Sequence, residues 1–254
     1  MPSTTHNYEI KKSTKEKLQH VATSNVANCL LRRGFKNVLM LGISPLDANL
    51  PNMVGFAFTL RFMPAREDID TMANYGLSTN VHRRAIEECP SGAVLVIDSH
   101  GCLEASSAGD LMAARLKSLG AAGLVTDGGF RDTPAMKRVG LAAYQRASAP
   151  PATPIALHPV ELNVPIGCAR VAIYPGDVIV GDGETVAVIP RHLADEIAEE
   201  AYEIEQYEKF AEVEISRGRS LFGLFPATEE SKEEYKKWCA LGKPVSTCKV
   251  GERT

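Results

Sequence analysis

The sequence predicts an α/β fold, and three observations point to that class. Helical and strand patterns alternate through the middle of the chain, between residues 54 and 140. Short apolar runs such as 93–98 are typical of buried strands. The 254 residues are 44% hydrophobic and 23% charged, which is ordinary for a globular protein with a sizeable core.

The first predicted elements are one helix and two strands. Apolar residues recur at helical spacing from Ser13 to Arg33, so an amphipathic helix is expected there, ending at Gly34. The aromatic and β-branched stretch 54–62 and the apolar run 93–98 are expected to be strands. Both strands are predicted to be buried.

The alternation continues in the next forty residues. One helical stripe that stops at Gly120 consists of Ala108, Met112, Leu116 and Leu119. A strand follows at 125–127. Thr133 and Pro134 resemble an N-cap followed by proline at the first helical position, and Gly140 is expected to close that short helix.

The last third of the chain predicts a loop, a β-layer and a long helix. Residues 146–165 contain five prolines and predict an extended, semi-rigid loop. Short strand patterns separated by glycine-containing turns predict a small β-meander over 169–189. A helix with an acidic outer face is expected from His192 to Gly218. We expect a single domain at 1–226, with an extension at 227–254 that packs on it or on a neighbouring subunit.

Charge and composition narrow the classes of function. A net charge of −3 gives no electrostatic argument for a nucleic-acid partner. The polar N-terminus lacks the apolar core of a secretory signal, and no apolar run approaches the ~20 residues that cross a bilayer. The six cysteines are scattered without a C-x-x-C pair, which favours reduced thiols. We expect a cytoplasmic protein that binds neither nucleic acid nor membrane.

The most informative pattern is Asp110 followed, after twenty residues, by Arg131 and Asp132. Asp110 lies where a helix is predicted to begin, and the Arg-Asp pair lies just past a predicted strand, so two distant loops are expected to meet around one small substrate. Each residue also has an ordinary interpretation. Asp110 is a potential helix cap, Arg131 and Asp132 a potential surface ion pair, and Gly128–Gly129 a potential flexible turn.

Three longer segments contain these residues, namely G-D-L-M at 109–112, L-V-T-D-G-G-F-R-D at 124–132 and Y-P-G-D-V-I-V-G-D-G-E at 174–184. They resemble the family that contains 4-hydroxy-4-methyl-2-oxoglutarate aldolase and the regulator of ribonuclease activity A. The resemblance implies an αββα sandwich of the RraA-like, phosphohistidine-domain-like type. It also implies a homotrimer or homohexamer with sites between subunits.

The resemblance further implies a divalent-metal-dependent lyase that cleaves a 4-hydroxy-2-oxo acid into pyruvate and a second carbonyl compound. Oxaloacetate decarboxylation is an expected side activity, because both reactions pass through one enolate. Asp132 is expected to ligate Mg²⁺ or Mn²⁺, hard cations that a 2-oxo acid can chelate. Arg131 is expected to stabilise the enolate oxygen, since its planar fork keeps its charge.

The same resemblance assigns the remaining site residues. The substrate-binding set is Gly109, Asp110, Leu111, Met112 and Arg131. The backbone N–H groups of Leu111 and Met112, at a helix N-terminus, are expected to bind the substrate carboxylate. Asp110 is expected to hold a water beside the cation and to move the proton of the C4 hydroxyl.

The resemblance also implies an acidic residue from a neighbouring subunit near the cation, with Glu205 and Glu208 as candidates. Plain solvation of an acidic helix face is their ordinary alternative. Two other functions stay open at this point: a hydratase, dehydratase or hydrolase acting on a sugar-derived 2-oxo acid, and a non-catalytic, protein-binding regulator of a ribonuclease. The intact Asp-Arg-Asp pattern argues against the regulator.

Overall fold

The computed structural model describes residues 8–243 of the chain. The helices are α1 Lys12–Leu18, α2 Thr23–Arg32, α3 Met72–Tyr75, α4 Val81–Glu87, α5 Asp110–Ser118, α6 Thr133–Val139, α7 Ala194–Ser216 and α8 Glu229–Ala240. The strands are β1 Ser44–Pro45, β2 Met53–Pro64, β3 Ala93–Asp98, β4 Ser106–Ala108, β5 Gly123–Thr126, β6 Gly129–Phe130, β7 Ala143–Gln145, β8 Ala147–Ser148, β9 Leu157–Leu162, β10 Ile166–Cys168, β11 Val171–Ile173, β12 Val178–Gly181 and β13 Val186–Ile189.

An eight-stranded sheet forms the centre of the fold. Seven strands follow the order β1-β7-β5-β3-β2-β12-β13. The eighth strand, β9, pairs with the same edge of β2 as β12 does: β12 pairs with the beginning of β2 and β9 with its end. The four central strands β2, β3, β5 and β7 run parallel. The predicted α/β class is confirmed, as are the strand at 93–98 and the strand at 54–62, which extends to Met53–Pro64.

Alternate residues of the central strands face different layers. Ala93, Leu95 and Ile97 of β3 pack in one apolar cluster with residues of α4, α5 and α6. Val94 and Val96 face the other way, into a cluster with the β10–β11 hairpin. Both faces of β3 are therefore covered, which explains why its sequence is apolar throughout rather than alternating.

A smaller parallel sheet lies beyond the carboxyl ends of the central strands. Its strand order β4-β6-β8 repeats the order of β3, β5 and β7, each of which precedes one of these short strands in the chain. Three hydroxyl groups join the two sheets, because Ser99 Oγ lies 2.8 Å from Ser107 Oγ and 3.1 Å from Thr126 Oγ1. All three side chains are buried, so this contact fixes where the small sheet sits.

The single helix predicted from Ser13 to Arg33 is wrong in one respect, because the chain breaks it into α1 and α2 at residues 19–22. The start of α2 is hydrogen-bonded to carboxylates from distant elements. Glu205 Oε2 accepts from the Ala22 N–H at 3.2 Å, and Asp182 Oδ2 accepts from the Thr23 N–H at 2.8 Å. Helical periodicity cannot reveal such long-range partners.

Two predicted helix boundaries also differ from the structure. Ala108, assigned to the stripe of the helix at 108–119, belongs to β4, and the buried positions of α5 are Ala113 and Leu116. The N-cap of α6 is Asp132 rather than Thr133, so Pro134 is the second helical residue. Proline is tolerated there because its missing N–H has no intrahelical partner in the first turn.

The β-rich third departs from prediction in two places. Residues 146–165 are not one extended loop, since β9 occupies Leu157–Leu162 and pairs with β2. Pro159 lies in β9 at a register shift and has no strand on its outer side, a position where a residue without an N–H is tolerated. The predicted meander is two hairpins, β10–β11 and β12–β13, which belong to different sheets.

The long helix predicted from His192 to Gly218 is present as α7, and α8 packs against it. Tyr207 and Phe210 of α7 form an apolar cluster with Leu224 and Trp238. The division into 1–226 and 227–254 stays a prediction, and residues 244–254 of that extension lie outside the described residues. Among the helices of 8–243, none is long and apolar enough to cross a membrane.

Candidate functional site

The motif residues lie at the carboxyl ends of the two short strands β4 and β6. Gly109 follows β4 as the N-cap of α5, and Asp110 is the first residue of that helix. Arg131 follows β6, and Asp132 is the N-cap of α6. The two loops touch, because the Arg131 N–H donates to the carbonyl of the residue before Gly109 at 3.1 Å. The carboxyl ends of parallel strands are where α/β proteins commonly bind ligands.

Gly109 allows the close approach of these loops. A Cβ atom at this position would lie 3.0 Å from Arg131 Nε and 3.3 Å from Asp132 Oδ2. The φ of Gly109 is −139°, which any residue adopts, so glycine is needed for space rather than for backbone conformation. A side chain here would press on both charged groups of the motif.

Arg131 and Asp132 form an ion pair at the surface. Arg131 Nε lies 3.3 Å from Asp132 Oδ2, and the two side chains are 43% and 50% exposed. Such a pair contributes only about 0–1 kcal/mol to folding. Asp132 also has a φ of +55°, in the left-handed region that most side chains avoid. The ion pair is therefore a weak reason for an aspartate at this position, although Asp tolerates this backbone region better than most side chains do.

The N-terminus of α5 is only partly satisfied. The Leu111 N–H donates to Oδ1 of the neighbouring Asp110 at 2.8 Å, so one of the two amides expected to bind a carboxylate already has a partner. Within residues 8–243 the Met112 N–H has no hydrogen-bond partner. The side chain of Leu111 is 80% exposed beside this terminus. Anions bind favourably at such a helix end because its N–H groups and dipole both attract negative charge.

His82, on α4, is a buried group near the site that the sequence did not single out. The side chain is fully buried, and neither ring nitrogen makes a hydrogen bond of normal geometry within the described part of the chain, although the Ser107 backbone is close enough to raise the pKa slightly against the effect of burial. It packs on the rings of Phe62 and Tyr75, with centroids 5.2 and 5.9 Å away. Burial lowers the pKa of His82 to about 4, and the charge of Arg131 acts in the same direction. His82 is therefore a neutral imidazole behind the site at neutral pH.

Three other polar residues at strand ends have structural partners. His100 Nε2 donates to the Phe62 carbonyl at 2.7 Å, and the His100 N–H donates to Asp98 Oδ1 at 3.1 Å. The buried Asp127 carboxylate accepts from the Ser99 N–H at 2.8 Å. Burial raises the pKa of Asp98 above its ordinary value. These contacts give Asp98, His100 and Asp127 structural roles in the loops that follow β3 and β5.

Glu205 and Glu208 lie on α7 and contact α2 of the same chain. Asn25 Nδ2 donates to Glu208 Oε2 at 2.7 Å and to Glu205 Oε2 at 3.2 Å. Within residues 8–243, no hydrogen bond or ion pair joins either glutamate to 109–112 or to 131–132. Their expected approach to the cation of a neighbouring subunit stays a prediction.

The donor set fits a hard divalent cation that keeps most of its water. Among residues 8–243, no three His, Cys, Asp or Glu side chains come together as a metal-binding group. A cation beside Asp132 would have that carboxylate, with Asp110 nearby, and would take its remaining ligands from water and substrate. Mg²⁺ is commonly bound in this way, through one or two carboxylates. A structural zinc site, in contrast, needs four protein ligands.

Comparison with known proteins adds sequence relatives. The family model described as RraA-like, Aldolase/RraA, matches residues 23–188, a range that contains the whole motif. A protein of Halalkalibacterium halodurans named "Putative 4-hydroxy-4-methyl-2-oxoglutarate aldolase" is 38% identical over 121 residues, which are 46% of this chain and 56% of that protein. The match thus spans little more than half the length of this relative.

Two solved structures share the fold over most of the chain. A protein from Pseudomonas syringae has a TM-score of 0.73 and 25% identity, covering 85% of this chain and 98% of its own. Streptomyces coelicolor RraAS2, described as an unusual member of the RNase ES inhibitor RraA protein family, has a TM-score of 0.69 and 29% identity, covering 80% and 98%. These neighbours confirm the expected RraA-type fold. Together with the family match, they establish that the chain belongs to the RraA-like family.

Proposed function

We propose that this protein is a divalent-metal-dependent lyase that releases pyruvate from a 4-hydroxy-2-oxo acid and also decarboxylates oxaloacetate. The observation that carries the proposal is the meeting of Arg131 and Asp132 with the open N-terminus of α5, at a point where Gly109 leaves no side chain between them. Relatives named as aldolases support a lyase of this kind.

Asp132 is the residue that would hold the cation, and a bound Mg²⁺ or Mn²⁺ would act as a Lewis acid on the 2-oxo acid. The half-exposed carboxylate of Asp132 is open to solvent for this purpose. Its only ion-pair partner in the described chain is Arg131, whose side chain is also exposed, though slightly less. Both groups can therefore turn towards a substrate without breaking a buried contact.

The other residues would bind the pyruvate half of the substrate. The Met112 N–H, which has no partner among residues 8–243, would donate to the substrate carboxylate, and the Leu111 N–H would join it when Asp110 releases it. Arg131 offsets the negative charge that develops on the C2 oxygen as the C3–C4 bond breaks. Asp110 accepts the proton of the C4 hydroxyl through a water. The enolate then takes a proton at C3 to become pyruvate, and in the aldol cleavage this is the proton that Asp110 accepted. In oxaloacetate, cleavage of the C3–C4 bond releases CO₂, so no hydroxyl proton has to be accepted and water supplies the proton at C3.

A coupled pyruvate assay tests the proposal. Purified protein is given Mg²⁺ or Mn²⁺ with a panel of 4-hydroxy-2-oxo acids and with oxaloacetate. We expect pyruvate from at least one hydroxy acid and from oxaloacetate, loss of turnover on chelation, and recovery on adding the cation back. Asp132→Ala should abolish activation by the cation, because the carboxylate that would bind it is removed.

Asp68→Ala is a matched control for that variant. Asp68 is also an exposed carboxylate in an ion pair with a nearby arginine, Arg66, at 2.6 Å, but it lies outside the motif. This variant should keep wild-type turnover. Absence of pyruvate from every substrate would refute the lyase. In that case, turnover of sugar-derived 2-oxo acids would favour the hydratase, dehydratase or hydrolase. Tight binding to a ribonuclease that Asp132→Ala leaves intact would favour a regulator.

A further inference from the structure

Strand pairing beside the motif is interrupted at one residue. The chain leaves β7 at Gln145 and enters β8 at Ala147, and Arg146 between them donates its N–H to the Gly128 carbonyl at 2.9 Å. The register then pairs Gly129 with Ala147 in the small sheet. The interruption lies next to β6, the strand that leads directly into Arg131 and Asp132.

The side chain of Gln145 supplies a hydrogen-bond acceptor at this interruption. Gln145 Oε1 accepts from the Phe130 N–H at 2.7 Å, and the Gln145 side chain is 7% exposed. The carbonyl of Phe130 accepts from the Ala149 N–H at 2.8 Å, and the Phe130 side chain is fully buried. The residue immediately before Arg131 is thus held on both of its backbone groups, one of them by Gln145.

A second, weaker chain of contacts connects Gln145 to the far side of Asp132. Gln145 Nε2 lies 3.5 Å from Ser148 Oγ, which is 3.4 Å from Thr133 Oγ1. Thr133 directly follows Asp132 at the start of α6. The Gln145 amide therefore contacts the backbone before the motif and, through Ser148, the side chain after it.

We propose that Gln145 is a positioning residue that fixes the backbone of Arg131 and Asp132. The inference that this also sets cation affinity rests on the proposed function of Asp132. Replacing the Gln145 carbonyl by an apolar group leaves a buried N–H without a partner, which favours conformations in which Phe130 reaches water. Such a shift moves the next two side chains away from their common position near Gly109. Residues that orient a metal ligand without touching the metal commonly change affinity about 10–100-fold when mutated.

Gln145→Met and Gln145→Glu separate the two atoms of the amide. Methionine keeps the length and removes the acceptor, whereas glutamate keeps an oxygen in reach of the Phe130 N–H. Two readouts need no substrate: amide hydrogen exchange over residues 129–133, and the Kd for Mn²⁺ from the electron paramagnetic resonance of the free ion. For Gln145→Met we expect exchange at least about tenfold faster and a Kd about tenfold weaker. Gln145→Glu should restore the exchange rate to near wild type; its Mn²⁺ Kd is not a control value, because the added carboxylate attracts the cation directly.

Thr59→Val is the matched control. Thr59 is fully buried in β2, and its hydroxyl donates to the Val164 carbonyl at 2.5 Å, so the variant also loses one buried side-chain hydrogen bond. It should leave exchange over 129–133 and Mn²⁺ affinity unchanged. If Gln145→Met does not fold, Gln145→Asn, which withdraws the carbonyl by one methylene, replaces it with the same expected direction.

The outcomes separate this inference from the proposed function. Unchanged exchange over 129–133 in Gln145→Met would overturn the positioning role, whatever the metal data show. Faster exchange with an unchanged Mn²⁺ Kd would also overturn it as a determinant of the cation site. If the wild type and Asp132→Ala bind Mn²⁺ equally, the metal function fails, and faster exchange still supports the role of Gln145 in holding the loop.

Discussion

The N-termini of α2 and α5 have similar N-cap residues, but the N–H groups of their first turns have different hydrogen-bond partners. Neither helix has a capping side chain at its own N-cap, which is Ala22 in α2 and Gly109 in α5. At α2, carboxylates from distant elements fill the gap: Asp182 from the β12–β13 turn and Glu205 from α7. At α5, the carboxylate that accepts a hydrogen bond from a first-turn N–H is that of Asp110, which belongs to the helix itself.

This contrast distinguishes an acidic cluster whose carboxylates have hydrogen-bond partners within the described chain from the candidate binding site. Asp182 accepts a hydrogen bond from the N–H of buried Thr23, and Glu205 accepts one from the side-chain amide of buried Asn25. At the α5 end the Met112 N–H has no hydrogen-bond partner among residues 8–243, and the half-exposed Arg131 and Asp132 side chains lie beside Gly109, the N-cap of that helix. Charge alone does not identify the site, since the α2 end carries more acidic residues.

The largest expected effect is that of Arg131→Ala on turnover. Removing one group that stabilises a developing oxyanion typically lowers kcat about 10²–10³-fold. The Mn²⁺ Kd should change far less, because the carboxylate of Asp132 remains. Pyruvate release and Mn²⁺ titration measure the two quantities. Arg131→Lys should recover part of the turnover, since lysine keeps the charge and loses the planar fork.

Arg138→Ala is the control for Arg131→Ala. Arg138 is an exposed arginine of α6 whose described contact is with the Pro134 carbonyl at 3.2 Å, so its removal should leave kcat unchanged. If Arg131→Ala lowered turnover and metal affinity by the same small factor, the pair of Arg131 and Asp132 would be an ordinary surface ion pair. The α5 N-terminus would then have only structural contacts, as the α2 N-terminus does.

Much of the fold follows from local signals in the sequence. The strand at 93–98 is apolar throughout because both of its faces are covered, and the short helix at 133–139 is bounded by proline and glycine. The spacing of Asp110 from Arg131 also predicts correctly that two loops meet, since each follows a strand of one parallel sheet. The local sequence pattern predicts an element correctly where that element is packed and bounded in the usual way for a strand or a helix.

The remaining features depend on contacts distant in sequence. The break between α1 and α2 occurs where Asp182 accepts a hydrogen bond from a residue 159 positions away. The strand at Leu157–Leu162 looks like a proline-rich loop until its pairing with β2 is known. Gln145 and His82 belong to no sequence motif. They stand out only through their surroundings in the fold, since Gln145 bonds the Phe130 N–H and His82 is buried. The contacts of Glu205 and Glu208 with Asn25 cannot be predicted from the sequence for the same reason.

The second prediction concerns stability at the α2 end. Asp182→Ala removes the acceptor for the N–H groups of Thr23, Glu184 and Thr185, which should cost about 1–3 kcal/mol in the free energy of unfolding. Burial raises the pKa of Asp182, but these hydrogen bonds outweigh it and lower the pKa below its ordinary value. Urea denaturation measures the difference from wild type.

The sign of the pH dependence follows from that lowered pKa. A carboxyl group whose folded pKa lies below its unfolded pKa contributes stability above the unfolded value and loses it as pH falls through the folded value. The gap between wild type and Asp182→Ala should therefore be complete at pH 7 and shrink below about pH 4. Glu184→Ala, in the same exposed turn, should show no such gap. A change in Mn²⁺ affinity in Asp182→Ala would contradict the division between the two helix ends.

The smallest expected effect is that of Asp132→Gly on stability, and it tests whether the aspartate is there for the fold. Asp132 and His100 have nearly the same left-handed backbone, with φ values of +55° and +53°. Glycine relieves that conformation at both positions, at the cost of a more flexible unfolded chain. For Asp132 the lost contact is a half-exposed ion pair, so the free energy of unfolding should change by less than about 1 kcal/mol. For His100 the lost contacts include its hydrogen bond to Phe62, so His100→Gly should destabilise the protein by about 1–2 kcal/mol.

Equilibrium urea unfolding of the two variants side by side gives both values. A loss in Asp132→Gly as large as that in His100→Gly would mean that Asp132 is held by structural contacts like those at α2, and the candidate site would lose its central residue.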